Sequence, residues 1–81
     1  MNIYVGNLSP KTSAWQLRKA FEMYGKVDKI SIDEKPPNDD AYRFCFVEMP
    51  FGSQASRAIR ELDGKALGGD VMTVRESGVG A

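Results

Sequence analysis

The chain has 81 residues, of which 42% are hydrophobic and 27% charged, so its composition indicates one small globular domain and excludes a disordered chain. Eleven basic residues balance eleven acidic ones, a neutrality that differs from the basic charge of most nucleic-acid-binding domains. With no histidine and a single cysteine, Cys45, the sequence excludes an internal disulfide and a cysteine-based metal site.

Neither a signal peptide nor an apolar run approaching ~18 residues is visible in the sequence. We therefore expect a cytoplasmic location, or a nuclear one if the source is eukaryotic, and no membrane partner. The sequence also has no phosphate-binding loop and no nucleophile–base arrangement. We expect the chain to be a monomer that is not an enzyme, with no cofactor, no catalytic residue and no metal site.

The first half of the chain predicts a strand, a helix and a second strand. Residues 1–8 form the first strand and residues 27–33 the second. Ser13 and Gln16 have the spacing of a capping box, so Ser13 is the expected N-cap of a helix that Gly25 ends. The apolar face of that helix follows the i, i+3, i+4, i+7 pattern through Leu17, Ala20, Phe21 and Tyr24.

The second half repeats this order after a long loop. Residues 34–40 are rich in breakers and predict a hairpin loop that leads into a strand at 42–49. Ser53 is the expected N-cap of the second helix. A glycine-rich connection at 65–70 then leads to the last strand at 71–75. The apolar stripe of the second helix consists of Ala55, Ala58, Ile59 and Leu62.

The strand at 42–49 carries apolar side chains on both of its faces. Successive side chains of a strand point to opposite faces. One face therefore carries Tyr42, Phe44, Phe46 and Glu48. The other carries Arg43, Cys45, Val47 and Met49. Because two helices cover only one face of a sheet, one of these sets is left open to solvent.

The remaining strands indicate which face is covered. Their aliphatic residues alternate with polar ones, which places under the helices Ile3, Val5, Ile30, Ile32, Met72 and Val74. Cys45 is then a small buried hydrophobic residue. We expect a common buried core that includes Val5, Val47, Ile30, Leu17, Phe21 and Ile59. Tyr4, Phe44 and Phe46 stand together on the uncovered face, where flat rings form a stacking platform for unpaired bases.

The order of elements is strand, helix, strand, strand, helix, strand. Right-handed crossovers in both halves place the two helices on the same face of one sheet, with the first and third strands in its middle. The predicted fold is an α+β, ferredoxin-like βαββαβ sandwich whose four-stranded antiparallel sheet has the order 2-3-1-4. We expect one domain over residues 1–77 and a short flexible tail over residues 78–81.

Two short motifs on the middle strands resemble those of the RNA recognition motif family. Residues 3–8, Ile-Tyr-Val-Gly-Asn-Leu, match the shorter family motif, and residues 42–49 resemble the longer one, with aromatic residues at its third and fifth positions. The chain is also similar to small bacterial proteins that consist of a single RNA recognition motif. The resemblance implies that Tyr4 and Phe46 each stack on a base of single-stranded RNA, and that Phe44 packs against the sugars between them.

Further candidates for contact with RNA lie beside these aromatic residues. Lys29 and Arg75 are the first candidates for phosphate contacts, followed by Arg43, which alternation points to the covered face. Tyr42 and Arg43 depart from the family motif, which usually has Arg or Lys and then Gly at these two positions. The full set of predicted RNA-binding residues is Tyr4, Phe44, Phe46, Asn2, Lys29, Tyr42, Arg43, Thr73 and Arg75.

The charge pattern leaves a second class of partner open. Single-stranded RNA is the expected partner, and single-stranded DNA fits the same face. The predicted hairpin loop is acidic, however, with Glu34, Asp39 and Asp40 close to Asp33. The alternative is a protein-interaction module that uses the same aromatic face or the helix surface around Trp15, because tryptophan is enriched at binding hot spots. Packing of Trp15 against the loop before the helix is the competing interpretation of that residue.

Overall fold

A computed structural model describes residues 1–9, 11–32 and 43–78. Two helices and six strands follow one another along this part of the chain. Their order and bounds are β1 (Asn2–Leu8), α1 (Ala14–Glu22), β2 (Lys29–Ile32), β3 (Arg43–Glu48), α2 (Gly52–Leu62), β4 (Ala66–Leu67), β5 (Asp70–Val71) and β6 (Thr73–Glu76).

The main sheet has four strands in the order β2-β3-β1-β6, and each neighbouring pair is antiparallel. β6 is the fourth strand of this sheet along the chain, so the predicted order 2-3-1-4 and the ferredoxin-like α+β fold are confirmed. The middle strands are β1 and β3, and their register places Tyr4 directly opposite Phe46. Both sequence motifs therefore lie side by side at the centre of the sheet.

The core lies between one face of the sheet and the two helices. Ile3 and Val5 of β1, Phe21 of α1 and Ala58 of α2 are all fully buried. Cys45 of β3 is buried among them, as predicted for a small hydrophobic residue. Alternation in the strands and helical spacing in the helices thus converge on the same side of the sheet.

Two of the six residues expected in this core are less buried than predicted. Ile30 and Ile59 pack against the core but are only partly buried, whereas the other four are buried. Ile30 belongs to β2, an edge strand with a neighbour on one side only. Ile59 lies at the margin of the α2 stripe, whose buried positions are Ala55, Ala58 and Leu62.

The first helix begins with the capping box that the sequence predicts. Ser13 Oγ accepts a hydrogen bond from the backbone N–H of Gln16 at 3.2 Å, and Gln16 Oε1 accepts one from the backbone N–H of Ser13 at 2.9 Å. The helix end differs from the prediction, because α1 stops at Glu22 and its C-cap is Met23 rather than a residue next to Gly25. The helix therefore ends two residues before Tyr24, the last residue of the apolar pattern, although Tyr24 still packs against the core.

Gly25 has a packing role instead. A Cβ atom at this position would overlap the side chain of Gln54 from α2. Gln54 Oε1 accepts a hydrogen bond from the Lys26 amide at 3.0 Å, so this side chain ties the start of α2 to the turn after α1. The missing side chain of Gly25 makes that approach possible.

The second helix begins earlier than the sequence predicts. Its N-cap is Phe51, whose backbone is extended and whose carbonyl accepts the Ala55 amide at 3.0 Å. No side chain caps this end, and Ser53 lies within the first turn. The prediction of Ser53 as N-cap was wrong because the chain has already turned into the helix at Gly52.

The connection before the last strand contains a small hairpin that the sequence did not predict. β4 and β5 pair through Ala66 opposite Val71 and Leu67 opposite Asp70. The two residues between them, Gly68 and Gly69, have φ values of +65° and +94°. Positive φ at both positions is the requirement of the tight two-residue hairpin turn, and glycine meets it without strain.

The last strand is correspondingly interrupted. Met72, the residue between β5 and β6 in the sequence, is buried. Its backbone bonds to the turn after α2: Met72 O accepts the Gly64 amide and Lys65 O accepts the Met72 amide, each at 2.9 Å. Asp63 Oδ1 also accepts the Val74 amide at 2.9 Å. The predicted strand at 71–75 therefore joins the main sheet only from Thr73, and it continues to Glu76.

Candidate nucleic-acid interface

Three aromatic rings cluster on the face of the sheet opposite the helices. The ring centroids are 6.3 Å apart for Tyr4 and Phe44, 5.9 Å for Tyr4 and Phe46, and 6.0 Å for Phe44 and Phe46. Tyr4 and Phe46 are half-buried, and Phe44 is 43% exposed. Their mutual contacts hold them at the corners of a nearly equilateral triangle. The result is one continuous aromatic patch open to solvent.

The strand register arranges the surrounding residues in rows across the sheet. The row through the patch runs from Ser31 on β2 through Phe46 and Tyr4 to Arg75 on β6. A neighbouring row consists of Lys29, Glu48 and Asn2. Lys29 and Arg75 are exposed, on opposite edges of the sheet. Positive charge thus flanks the aromatic patch on two sides.

The other predicted RNA-binding residues fall into two groups. Asn2 and Thr73 are half-buried on β1 and β6, and Thr73 lies opposite Gly6. Arg43 opens β3 and pairs with Leu8 through the backbone, but its side chain lies outside the described part of the structure. All of Tyr42 and the acidic stretch at 33–40 also lie outside the described residues.

Gly6 determines where the ring of Tyr4 can lie. Both residues point to the open face, and a Cβ atom at Gly6 would be 2.5 Å from Tyr4 Oη and 2.8 Å from Tyr4 Cε2. The ring therefore occupies the space above Gly6 that a side chain would fill. Sequence reasoning did not identify this role, although the i, i+2 spacing on one strand face was available as a signal.

If the aromatic patch stacks RNA bases, as the family resemblance implies, Gly6→Ala is expected to weaken RNA binding while the protein stays folded. The added methyl group displaces the Tyr4 ring, whose tip can swing into solvent, so the sheet and core are preserved. Binding is expected to fall by less than in Tyr4→Ala, because the ring is moved rather than removed. Fluorescence titration with a short single-stranded RNA checks the affinity. Equal affinity of Gly6→Ala and the unmodified protein would contradict this role.

A shallow pocket lies beside Phe46. Its lining consists of Asn2, Lys29, Ser31, Phe46 and Glu48, contributed by β1, β2 and β3. Two of these residues, Ser31 and Glu48, were not among the sequence-predicted site residues. The alternation that grouped Glu48 with Phe44 and Phe46 was the signal that pointed to it.

The comparisons with known proteins agree with this architecture. The model of the RNA recognition motif family matches residues 3–73. The chain belongs to the RNA recognition motif family. Among solved structures, RNA Binding Protein PG1 is similar, with 33% sequence identity, a TM-score of 0.85, and coverage of 98% of this chain and 95% of that one.

Two curated relatives differ in how much of their length this RNA recognition motif covers. The predicted RNA-binding protein RbpE of Nostoc sp. strain PCC 7120 is 35% identical over 77 residues, which span 95% of this chain and 78% of RbpE. Serine/arginine-rich splicing factor 3 of Homo sapiens is 37% identical over 67 residues, which span 83% of this chain and 38% of that protein. The chain spans only about a third of the length of the splicing factors that it matches.

The outer surface of α1 in this RNA recognition motif carries a second group of exposed apolar side chains. Trp15 is 67% exposed and Met23 is 81% exposed. Lys19, one turn after Trp15, places its Nζ 5.5 Å from the centre of the indole ring, a cation–π contact. Trp15 is therefore exposed on the side of the molecule away from the aromatic patch.

Among the described residues, none of the helices is long and apolar enough to cross a membrane. In the same part of the chain, no three His, Cys, Asp or Glu side chains are grouped in a way that could hold a metal ion.

Proposed function

We propose that this chain binds short single-stranded RNA of about two to four nucleotides on the open face of its sheet. Tyr4 and Phe46 each stack on a base, and Phe44 packs against the sugars between them. The observation that carries the proposal is the triangle of three rings, about 6 Å apart, exposed on the uncovered face. Membership of the RNA recognition motif family supports RNA binding, and a binding function rather than catalysis.

Phosphate contacts come from the edges of the same sheet. Both Lys29 on β2 and Arg75 on β6 are exposed; Arg75 ends the row that contains Phe46 and Tyr4, and Lys29 lies in the neighbouring row at the opposite edge of the sheet. A strand of RNA that lies across the rings passes close to both side chains. Base stacking contributes ~1–3 kcal/mol per base and tolerates any sequence. Two or three such contacts, less the cost of ordering the RNA, give a Kd that is micromolar or weaker.

We predict that RNA binding depends only modestly on salt. Each phosphate contact on a single strand contributes about −0.7 to the slope of log K against log salt concentration. Lys29, Arg75 and one further cation then give a slope on the order of −2. Titrations at several salt concentrations measure the slope, and Lys29→Gln should make it shallower. A nanomolar complex with a much steeper slope would contradict this account of the positive charge.

The direct test of the proposed function is an NMR titration of the ¹⁵N-labelled chain with a pool of short single-stranded oligonucleotides. We expect the largest changes in amide chemical shift at the aromatic positions of β1 and β3, namely Tyr4, Phe44 and Phe46. A parallel titration with the matching DNA pool separates RNA from single-stranded DNA. Shift changes confined to the helices, or none with any oligonucleotide, would rule the proposal out.

The exposed surface of α1 supports a second candidate function. Trp15 in the first turn of α1 and Met23 at its C-cap are both more than half exposed. Side chains of this type act as anchors when they enter a pocket of a partner protein. In a pull-down, Trp15→Ala would then abolish capture of the partner and leave RNA binding unchanged. If a partner protein covers the sheet face instead, Phe46→Ala abolishes its capture and Trp15→Ala does not.

A further inference from the structure

The row of polar residues next to Phe46 is placed to contact the edge of a stacked base. Glu48 follows Phe46 by two residues on β3, so the two side chains share a face. Their Cα atoms are about 6.6–6.8 Å apart along the strand. Lys29 and Asn2 lie directly opposite Glu48 on the two neighbouring strands, each about 4.8 Å away in the sheet. These four residues, with Ser31, line one pocket. A base stacked on Phe46 would lie beside this pocket and present one of its edges to it.

The side chains of Glu48 and Lys29 make no hydrogen bond or ion pair with other described residues. Glu48 and Lys29 are exposed, and neither belongs to the ion pairs found there, Arg18 with Glu22 and Lys26 with Asp28. A carboxylate only accepts hydrogen bonds and an ammonium group only donates them. The pocket therefore presents a double acceptor with a donor beside it. A carboxylate also repels phosphates, so its position on this face suits a base better than the RNA backbone.

We propose that Glu48 and Lys29 make this pocket selective for guanine, an inference that rests on the proposed stacking of RNA on Phe46. Guanine alone among the four RNA bases presents two adjacent donors, N1–H and the N2 amino group, which a carboxylate accepts together. Its O6 is the neighbouring acceptor, for which Lys29 is the donor when guanine occupies the pocket; with other bases Lys29 contacts phosphate. Hydrogen bonds to the exposed edge of a base are the usual basis of sequence-specific recognition of single-stranded RNA.

The other three bases fit the pocket less well. Uracil places its single donor between two carbonyl oxygens, and each of these faces the Glu48 carboxylate unfavourably. Adenine and cytosine each offer one amino group next to a ring nitrogen that only accepts. Each of them leaves one oxygen of Glu48 without a donor. Because one good bidentate contact discriminates between bases by ~1–3 kcal/mol, the preference for guanine over uracil should be about tenfold.

The test compares three pentanucleotides, UUGUU, UUIUU with inosine in the centre, and UUUUU, by fluorescence or calorimetric titration of the full chain. We expect UUGUU to bind about tenfold more tightly than UUUUU, with UUIUU between them because inosine lacks the N2 amino group. In Glu48→Gln the preference should fall to about twofold or less, because glutamine offers one acceptor oxygen instead of two. Binding of UUUUU should not weaken in this variant.

Glu76→Gln is the matched control. Glu76 is exposed and lies opposite Ile3, on the covered side of β6, so this variant has the same change of charge away from the pocket. It should keep the full preference for guanine. Equal binding of UUGUU and UUUUU by the unmodified chain, or an unchanged preference in Glu48→Gln, would overturn the inference and leave stacking intact. Failure of all three oligonucleotides to bind would overturn the proposed function itself, and this inference with it.

Discussion

The double variant Tyr4→Ala/Phe46→Ala is expected to bind short single-stranded RNA at least about thirtyfold more weakly than the unmodified chain. Each lost stacking contact removes ~1–3 kcal/mol, and 1.4 kcal/mol corresponds to about a tenfold change in Kd. The two rings are directly opposite each other on β1 and β3, so one variant removes both platforms. Fluorescence titration with a labelled pentanucleotide measures the loss.

This variant should stay folded, because neither ring belongs to the core between the sheet and the helices. A ¹H–¹⁵N spectrum with the dispersion of the unmodified chain verifies this. Trp15→Ala is the matched control, since it removes an exposed aromatic ring from the opposite side of the molecule. It should leave the affinity for RNA unchanged. Unweakened RNA binding by a folded double variant would rule out stacking on this face as the mechanism.

Phe21→Ala is expected to lower the free energy of unfolding by ~3–5 kcal/mol. Phe21 on α1 has the largest fully buried side chain in the part of the protein that the structure describes. Its truncation leaves a cavity that the sheet above it cannot close. Small domains have a total stability of only about 5–15 kcal/mol, so a large part of the population is expected to unfold. Urea denaturation followed by circular dichroism measures the change.

Phe44→Ala provides the comparison for this prediction. It removes the same number of atoms from a side chain that is 43% exposed, so the loss of stability should be clearly smaller. The difference between the two variants reports which face of the sheet the helices cover. Similar losses in Phe21→Ala and Phe44→Ala would contradict the assignment of one ring to the core and the other to the open face.

The faces of the sheet and the order of its strands were predictable from the sequence. Both depend on patterns of short range: alternation in the strands separates Val5 from Tyr4 and Val47 from Phe46, and helical spacing aligns Leu17 with Phe21. The capping box of α1 was equally predictable, because Ser13 and Gln16 are three residues apart and bond to each other. The Gly68–Gly69 pair also signalled a tight turn, but it was read only as part of a connection.

Other features depended on contacts between residues that are distant in the sequence. The N-cap of α2 is Phe51 rather than Ser53 because of how the chain leaves β3, since no side chain caps this end of the helix. Met72 interrupts the last strand because its backbone bonds to the turn after α2. Partial exposure of Ile30 follows from the edge position of β2, which only the assembled sheet creates.

The candidate site also combines features that the sequence predicts with features that only the tertiary structure determines. Sequence alone determined that Tyr4, Phe44 and Phe46 share the uncovered face, since the period of a strand is a local property of the backbone. Only the tertiary structure decided the register that places Lys29, Glu48 and Asn2 in one row beside Phe46, because residues from three strands form it. The position of the Tyr4 ring over Gly6 was likewise decided in three dimensions, since it depends on space that the absent side chain leaves open.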